Sequence, residues 1–135
     1  MTDISIIDYN AGNLFSIKSA CEKVGLNAII TGNPEVIINS KAAILPGACL
    51  VKHHADCEYP FRQDSDFWYL TGFDEPDAIA LFLSHKDVGE RFILFVNPKS
   101  NISEVWNGFR WGVSGAVEVF KADKAHPITE FKNLI

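Results

Sequence analysis

Three short apolar runs, Ile4 to Ile7, Ala28 to Ile30 and Ala42 to Leu45, alternate with two helical patterns inside the first 46 residues. No other feature of the sequence constrains the fold as much. The first run ends at Asp8-Tyr9-Asn10-Ala11-Gly12, where turn formers take over from strand formers. From Asn13 onward, Leu14, Ile17, Cys21 and Val24 recur at three- and four-residue spacing, with Asn13 placed to cap the start and Gly25 at the C-terminal end. That spacing predicts an amphipathic helix. Asn33-Pro34-Glu35 then supplies an N-cap, a proline at the first helical position and an acidic first turn, which predicts a short helix to Ile38. The third run stops at Pro46-Gly47. A β-α-β-α-β order predicts parallel strands joined by right-handed crossovers.

Beyond Gly47 aromatic residues become dense and the alternation ends. Phe67 to Leu70, Ala78 to Leu83 and Phe92 to Val96 read as strands, separated by Gly72-Phe73-Asp74-Glu75-Pro76 and by Lys86 to Glu90. Connections that short predict antiparallel neighbours. Ser103-Glu104 and Ser114 read as N-terminal signals of two short helices, with Gly108 and Gly112 breaking the stretch between them. Thr129 opens a last helical pattern that runs out at Ile135, as expected at a fragment boundary. The expected fold is therefore one α/β domain over residues 1–135, with a mixed parallel and antiparallel sheet flanked by helices. A length of 135 residues, with 47% hydrophobic and 21% charged residues, suits a single core of that kind.

The charge balance removes several classes of function. A formal net charge of -5 gives no electrostatic reason to approach nucleic acid or an anionic membrane surface. No apolar run nears the roughly 20 residues a membrane span needs, and Met1 to Asp8 lacks the basic start of a signal peptide. The expected location is the cytoplasm. Cys21, Cys49 and Cys57 are odd in number and form no C-x-x-C pair, so they are expected as reduced thiols.

Candidate chemistry concentrates just after Gly47. Gly47-Ala48-Cys49-Leu50-Val51 imitates a G-x-C-x-G nucleophile elbow with His53 and His54 nearby, but Val51 stands where a strained strand-to-helix turn needs a small residue. Cys49 is therefore read as a structural thiol. His53, His54, Asp56, Cys57 and Glu58 are all possible metal ligands. Neighbours in extended chain point to opposite faces, so this stretch is expected as a solvated, irregular loop with no metal. His85 and His126 are expected on the surface. Phe61, Phe67, Trp68 and Tyr69 are expected in the core, because aromatic side chains bury large areas. Arg62, Asp64 and Asp66 are expected to pair locally. Gly12 and Gly47 compose neither a G-x-G-x-x-G nor a Walker loop, and no cofactor is expected.

Two families are resembled, and they meet near residue 47. Ile6-Ile7-Asp8-Tyr9-Asn10-Ala11-Gly12-Asn13-Leu14, Ser16, Pro34 and Ile44-Leu45-Pro46-Gly47 resemble the start of the glutamine amidotransferase subunit of imidazole glycerol phosphate synthase. In that family the catalytic cysteine, histidine and glutamate come later in the chain. Residues from about 41 to 135 resemble the N-terminal domain of aminopeptidase P, the creatinase-like Xaa-Pro aminopeptidase. The carriers are Ala55-Asp56, Glu58-Tyr59-Pro60-Phe61-Arg62-Gln63, Ser65-Asp66-Phe67-Trp68-Tyr69-Leu70-Thr71-Gly72-Phe73, Glu75-Pro76 and Glu104-Val105-Trp106 with Gly108 and Arg110.

The second resemblance implies a domain that precedes a separate catalytic domain, where Asp, Asp, His, Glu and Glu hold two manganese ions. It also implies that Asp56 and Trp106 stand at the mouth of an active site, including that of a neighbouring subunit; without the catalytic domain, Trp106 becomes an apolar anchor. Taken together, the resemblances predict a recombined or engineered chimera. An amidotransferase-like segment 1–47 is joined to an aminopeptidase-like segment 48–135, with no complete active site and no catalytic residue. The alternatives are the non-metal-binding N-terminal domain of a manganese-dependent Xaa-Pro aminopeptidase and a glutaminase-type fragment. Replacing half of a domain can leave strand edges uncovered, so a homo-oligomer is a possible state.

Overall fold

The computed structural model describes residues 2–10, 13–55, 57–87 and 89–134, apart from the side chain of Leu134. Strand β1 (Ile4–Ile7) leads to helix α1 (Leu14–Lys23), β2 (Ala28–Thr31), α2 (Pro34–Ile38) and β3 (Ala42–Pro46). Local chemistry sets these boundaries as the spacing predicts. The Asn13 side chain accepts from the Ser16 amide at 3.4 Å, that of Asn33 accepts from the Glu35 amide at 2.9 Å, and Gly25 turns with a φ of 83°. Strand β1 pairs in parallel with both β2 and β3.

The chain continues through β4 (Lys52–His54), β5 (Cys57–Glu58), α3 (Ser65–Thr71), β6 (Ile79–Leu83) and β7 (Phe92–Val96). It ends with α4 (Asn101–Asn107), α5 (Gly112–Glu118), β8 (Lys124–Pro127), a 3-10 turn over Ile128–Glu130 and α6 (Phe131–Leu134). Six strands form one mixed sheet in the order β2-β1-β3-β6-β7-β8. Strand β3 joins its two parts: Ile44 lies beside Ile6 in the parallel ladder and beside Leu81 in the antiparallel one. All five of its residues are buried.

Period-two alternation divides the core between the two faces of the sheet. Ile4, Ile6, Ile44, Leu81 and Phe95 pack with Leu14, Ile17 and Cys21 of α1 and Phe131 of α6. Leu45, Ala80, Leu94 and Val96 face the other way, onto Phe67 of α3, Phe73 and Ala116 of α5. Among the described residues, no helix is long and apolar enough to cross a membrane.

Several sequence expectations need correction. Phe67 to Leu70 lies in helix α3 and is not a strand. The Asp64 carboxylate caps the Asp66 and Phe67 amides at 2.9 and 3.0 Å, and Gly72 closes the helix in the left-handed region. A cap at each end outweighs the strand preference of the aromatic residues. In a helix only one stripe faces inward, so Phe67 and Thr71 are buried while Trp68, Tyr69 and Leu70 are exposed; Phe61, in the loop ahead of the helix, is half-buried. Asp64 is thus a cap, and no salt bridge joins Arg62, Asp64 and Asp66 among the described residues.

The two helix starts are also displaced. Ser100, not Ser103, caps α4, and α5 begins at Gly112 without a side-chain cap, so Ser114 lies inside it. Residues 49–57 are not wholly irregular, because β4 and β5 form a small antiparallel hairpin with Ala55 at φ 42°. Finally, β8 has no counterpart in the sequence reading. Its Lys-Ala-His-Pro composition is poor for a strand, yet it pairs in parallel with β7. A proline at the end of an edge strand leaves no interior ladder bond unmade. The Asp123 carboxylate fixes its entry by accepting from the Arg91 and Phe92 amides at 2.8 and 2.9 Å.

Candidate functional site

The C-terminal end of β3 is the point where loops from three parts of the chain converge. Gly47 donates to the Ala78 carbonyl at 2.8 Å, and a β-carbon at Gly47 would stand 3.1 to 3.3 Å from Ala78, Gln63 and Phe67. The turn is therefore closed by contact. Gln63 fastens it: its side-chain oxygen accepts from the amides of Ala48 and Asp64, and its side-chain nitrogen donates to the carbonyls of Phe73 and Glu75. One amide side chain thereby satisfies four backbone groups.

Directly beyond lies Glu75, whose residue exposure is 5%. One carboxyl oxygen accepts from the Trp111 amide at 2.6 Å, while the other is buried without a hydrogen-bond partner among the described residues. Burial pushes this carboxyl above the usual range; the Trp111 amide and the Arg110 charge oppose the rise, while Asp74 and Glu104 add to it. Neither Gln63 nor Glu75 stands out by periodicity. The only sequence signal for them is their presence in the aminopeptidase-like motifs.

Helix α4 presents the opposite character. It has no buried residue, although Ile102, Val105 and Trp106 recur at the three- and four-residue spacing of an amphipathic helix. These three are 78 to 84% exposed, and Phe109, just past the Gly108 cap, is 57% exposed. Trp106, at 84%, is not an apolar anchor within this chain. The helix is held at its ends instead. Ser100 caps it, and the Glu104 carboxylate accepts from the Arg110 amide at 3.0 Å while facing Lys99 at 3.7 Å. The Lys99 ammonium lies 4.7 Å over the Phe109 ring. Asp56, the other expected mouth position, lies outside the described residues.

A third feature is a cavity of about 420 Å³ between α1 and α6, bordered by Pro46, Gly47, Cys49 and Asp77. Cys49 is exposed at its rim; partial burial, then a hydrogen bond and charge from Asp77, push its thiol up. A raised thiol is a poor nucleophile at neutral pH, and no histidine borders the cavity. His53 and His54 lie on the exposed hairpin, His53 edge-on to Tyr59. His85 is exposed, and His126 is half-buried against Phe95, with Nδ1 3.7 Å from Glu130. Among the described residues, no three His, Cys, Asp or Glu side chains form a group able to hold a metal ion. The residues described here therefore do not fit the manganese pair that the resemblance implies for the separate domain.

Comparison with known proteins places this arrangement among peptidase domains. A family profile described as Aminopeptidase P, N-terminal domain, matches residues 18–135. The Xaa-Pro aminopeptidase of Haemophilus influenzae is 45% identical over 84 residues, which cover 62% of this chain and 19% of that protein. That of Escherichia coli is 39% identical over 89 residues, covering 66% and 20%. The structure of Pseudomonas aeruginosa aminopeptidase PepP superposes with a TM-score of 0.65 at 38% identity, covering 69% of this chain and 21% of that one. Zinc-substituted Escherichia coli aminopeptidase P in complex with product gives 0.61 at 39%, covering 66% and 20%. The chain spans about a fifth of the length of these relatives. The family match extends to both sides of Gly47. These comparisons support the aminopeptidase part of the expected mosaic and lend no support to the amidotransferase part.

Proposed function

This chain belongs to the aminopeptidase P N-terminal domain family, and from that premise we propose that it serves as the non-metal-binding N-terminal domain of an Xaa-Pro aminopeptidase. Its work is to shape the mouth of a separate manganese-dependent catalytic domain. The observation that carries this reading is α4, a helix with no buried residue and an exposed apolar face through Ile102, Val105 and Trp106. An apolar face of that kind costs solubility unless something covers it. The relatives, about a fifth of whose length this chain matches, have an occupant to offer in the rest of their chains.

In this reading the chain's own residues bind and exclude water, and the proton and metal chemistry belongs to the catalytic domain. Trp106 offers a large apolar surface to the substrate mouth. The Xaa-Pro cleavage rate of this chain joined to the catalytic domain of the Escherichia coli relative, with manganese, tests the proposal. Trp106→Ala is expected to lower kcat/KM at least tenfold there. Xaa-Pro cleavage by the chain alone would sink the reading.

The finer mosaic reading rests on a narrower observation: β1, with its amidotransferase-like motif, lies wholly ahead of the family match. Amplifying one uninterrupted coding segment across residues 1–60 from the source tests it. Recovery of two separate segments would end it.

A further inference from the structure

We propose that Glu75 is a positioning residue for the α4 face, a buried carboxyl latch that holds α4 while neutral and releases it when ionised. The inference rests on the reading of α4 as a docking face and adds how that face is kept in place.

The geometry requires a latch of some kind. Helix α4 buries none of its own side chains, so its orientation depends on the segments that leave its two ends. The outgoing segment turns through Gly108 at φ 77° and Gly112 at φ 67°, backbone conformations that contribute no apolar contact of their own. Between these glycines the chain is tied inward by the Trp111 ring, packed against the core beside Phe120, and by two backbone donors. The Arg110 amide binds Glu104, which is on α4 itself, and the Trp111 amide binds Glu75, which is on the core side. Of these two bonds, only the one to Glu75 joins the α4–α5 segment to a fully packed part of the domain.

That bond ends on a carboxyl group whose second oxygen has no partner among the described residues. A buried carboxylate oxygen without a hydrogen bond is costly, whereas a protonated carboxyl loses most of that cost. Opening the 108–112 segment would let water reach the ionised group. The charged groups acting on Glu75 are Arg110 from the turn, Asp74 from its own loop and Glu104 from α4. The Trp111 amide and then Arg110 favour ionisation, the two carboxylates oppose it, and burial, the largest influence, outweighs the first two. The carboxyl is therefore more readily protonated when the segment is closed than when it is open. By linkage, closure is strongest below the ordinary glutamate range and weakens as pH rises through the closed-state value.

Amide hydrogen exchange on the full chain, corrected for intrinsic rates, reads this directly. Protection across 101–112 is expected to fall roughly tenfold between pH 4.5 and 7, with β7 unchanged. Glu75→Gln keeps an acceptor for Trp111 and cannot ionise, so its protection should hold at the low-pH level throughout. Should that variant fail to fold, the native chain still decides: the Glu75 side-chain carbon and the Trp111 amide must titrate together by NMR. Separate titrations, pH-independent protection in the native chain, or the native pH dependence in Glu75→Gln would each overturn the latch. No catalytic domain takes part in these measurements, so failure of α4 to dock in the intact peptidase is a separate result.

Discussion

The phenol of Tyr9 donates a hydrogen bond to the carbonyl of Pro46, which fastens the segment after β1 to the end of β3. The bond satisfies a carbonyl at the last residue of β3, next to the closed Gly47 turn.

Tyr9→Phe removes that donor and little volume, so it should cost about 1 kcal/mol in urea unfolding. Burial, followed by the charges of Asp64, Cys49 and Asp66, pushes the phenol up to about 12 from an ordinary 10.0. The folded chain therefore holds this proton more tightly than the unfolded chain does. The associated stability is complete below pH 10 and is lost as pH rises from 10 towards 12. Tyr9→Phe should flatten that part of the stability profile, and an unchanged alkaline slope would show that Tyr9 is not its source.

Gln63→Ala should be among the more damaging single changes outside the apolar core, at about 2 to 4 kcal/mol. It leaves the Ala48 and Asp64 amides and the Phe73 and Glu75 carbonyls without their partner. Gln63→Glu keeps the two acceptor bonds but turns both donor bonds into oxygen–oxygen contacts, so it should not restore stability. Denaturation midpoints of the two variants check this; a native-like midpoint for either would mean that water replaces the clamp.

How far the fold could be read in advance depends on where each element gets its stability. The elements β1 through β3 are set by local signals, Asn13 and Asn33 caps and short apolar runs, and these were legible. Helix α3 was misread because the Phe-Trp-Tyr-Leu run looks like a strand until the Asp64 and Gly72 caps are weighed together. Strand β8 was invisible because its pairing depends on β7 and on Asp123, not on its own residues. The candidate site divides in the same way. Trp106 was singled out through the family resemblance, but its exposure follows from α4 burying none of its residues among the described ones. Glu75 gained meaning only when the fold brought Trp111 to it across 36 positions.

Trp106→Ala should leave the stability of this chain within about 0.5 kcal/mol, since the side chain is 84% exposed. Phe67→Ala, by contrast, removes a fully buried ring and should cost about 3 to 5 kcal/mol. Parallel thermal melts of the two variants separate a docking residue from a packing residue. A large loss at Trp106 would mean that α4 packs against the domain in solution.

Cys49 offers the last test, because its environment makes opposite demands on a thiol and a thiolate. Partial burial is the larger influence and Asp77 the second, and both disfavour the charged form. Only the thiolate attacks an alkylating reagent, so Cys49 should react more slowly at pH 7.5 than the same residue in the urea-unfolded chain. Asp77 sits at φ 63°, a conformation that asparagine adopts at least as readily as aspartate. Asp77→Asn should therefore preserve the turn while removing the charge, and iodoacetamide labelling followed by peptide mass analysis should show faster modification at Cys49. Cys57, exposed on the β5 strand, serves as the internal comparison. If the variant labelled no faster than the native chain, burial alone would account for the sluggish thiol and the Asp77 contact would have no bearing on it.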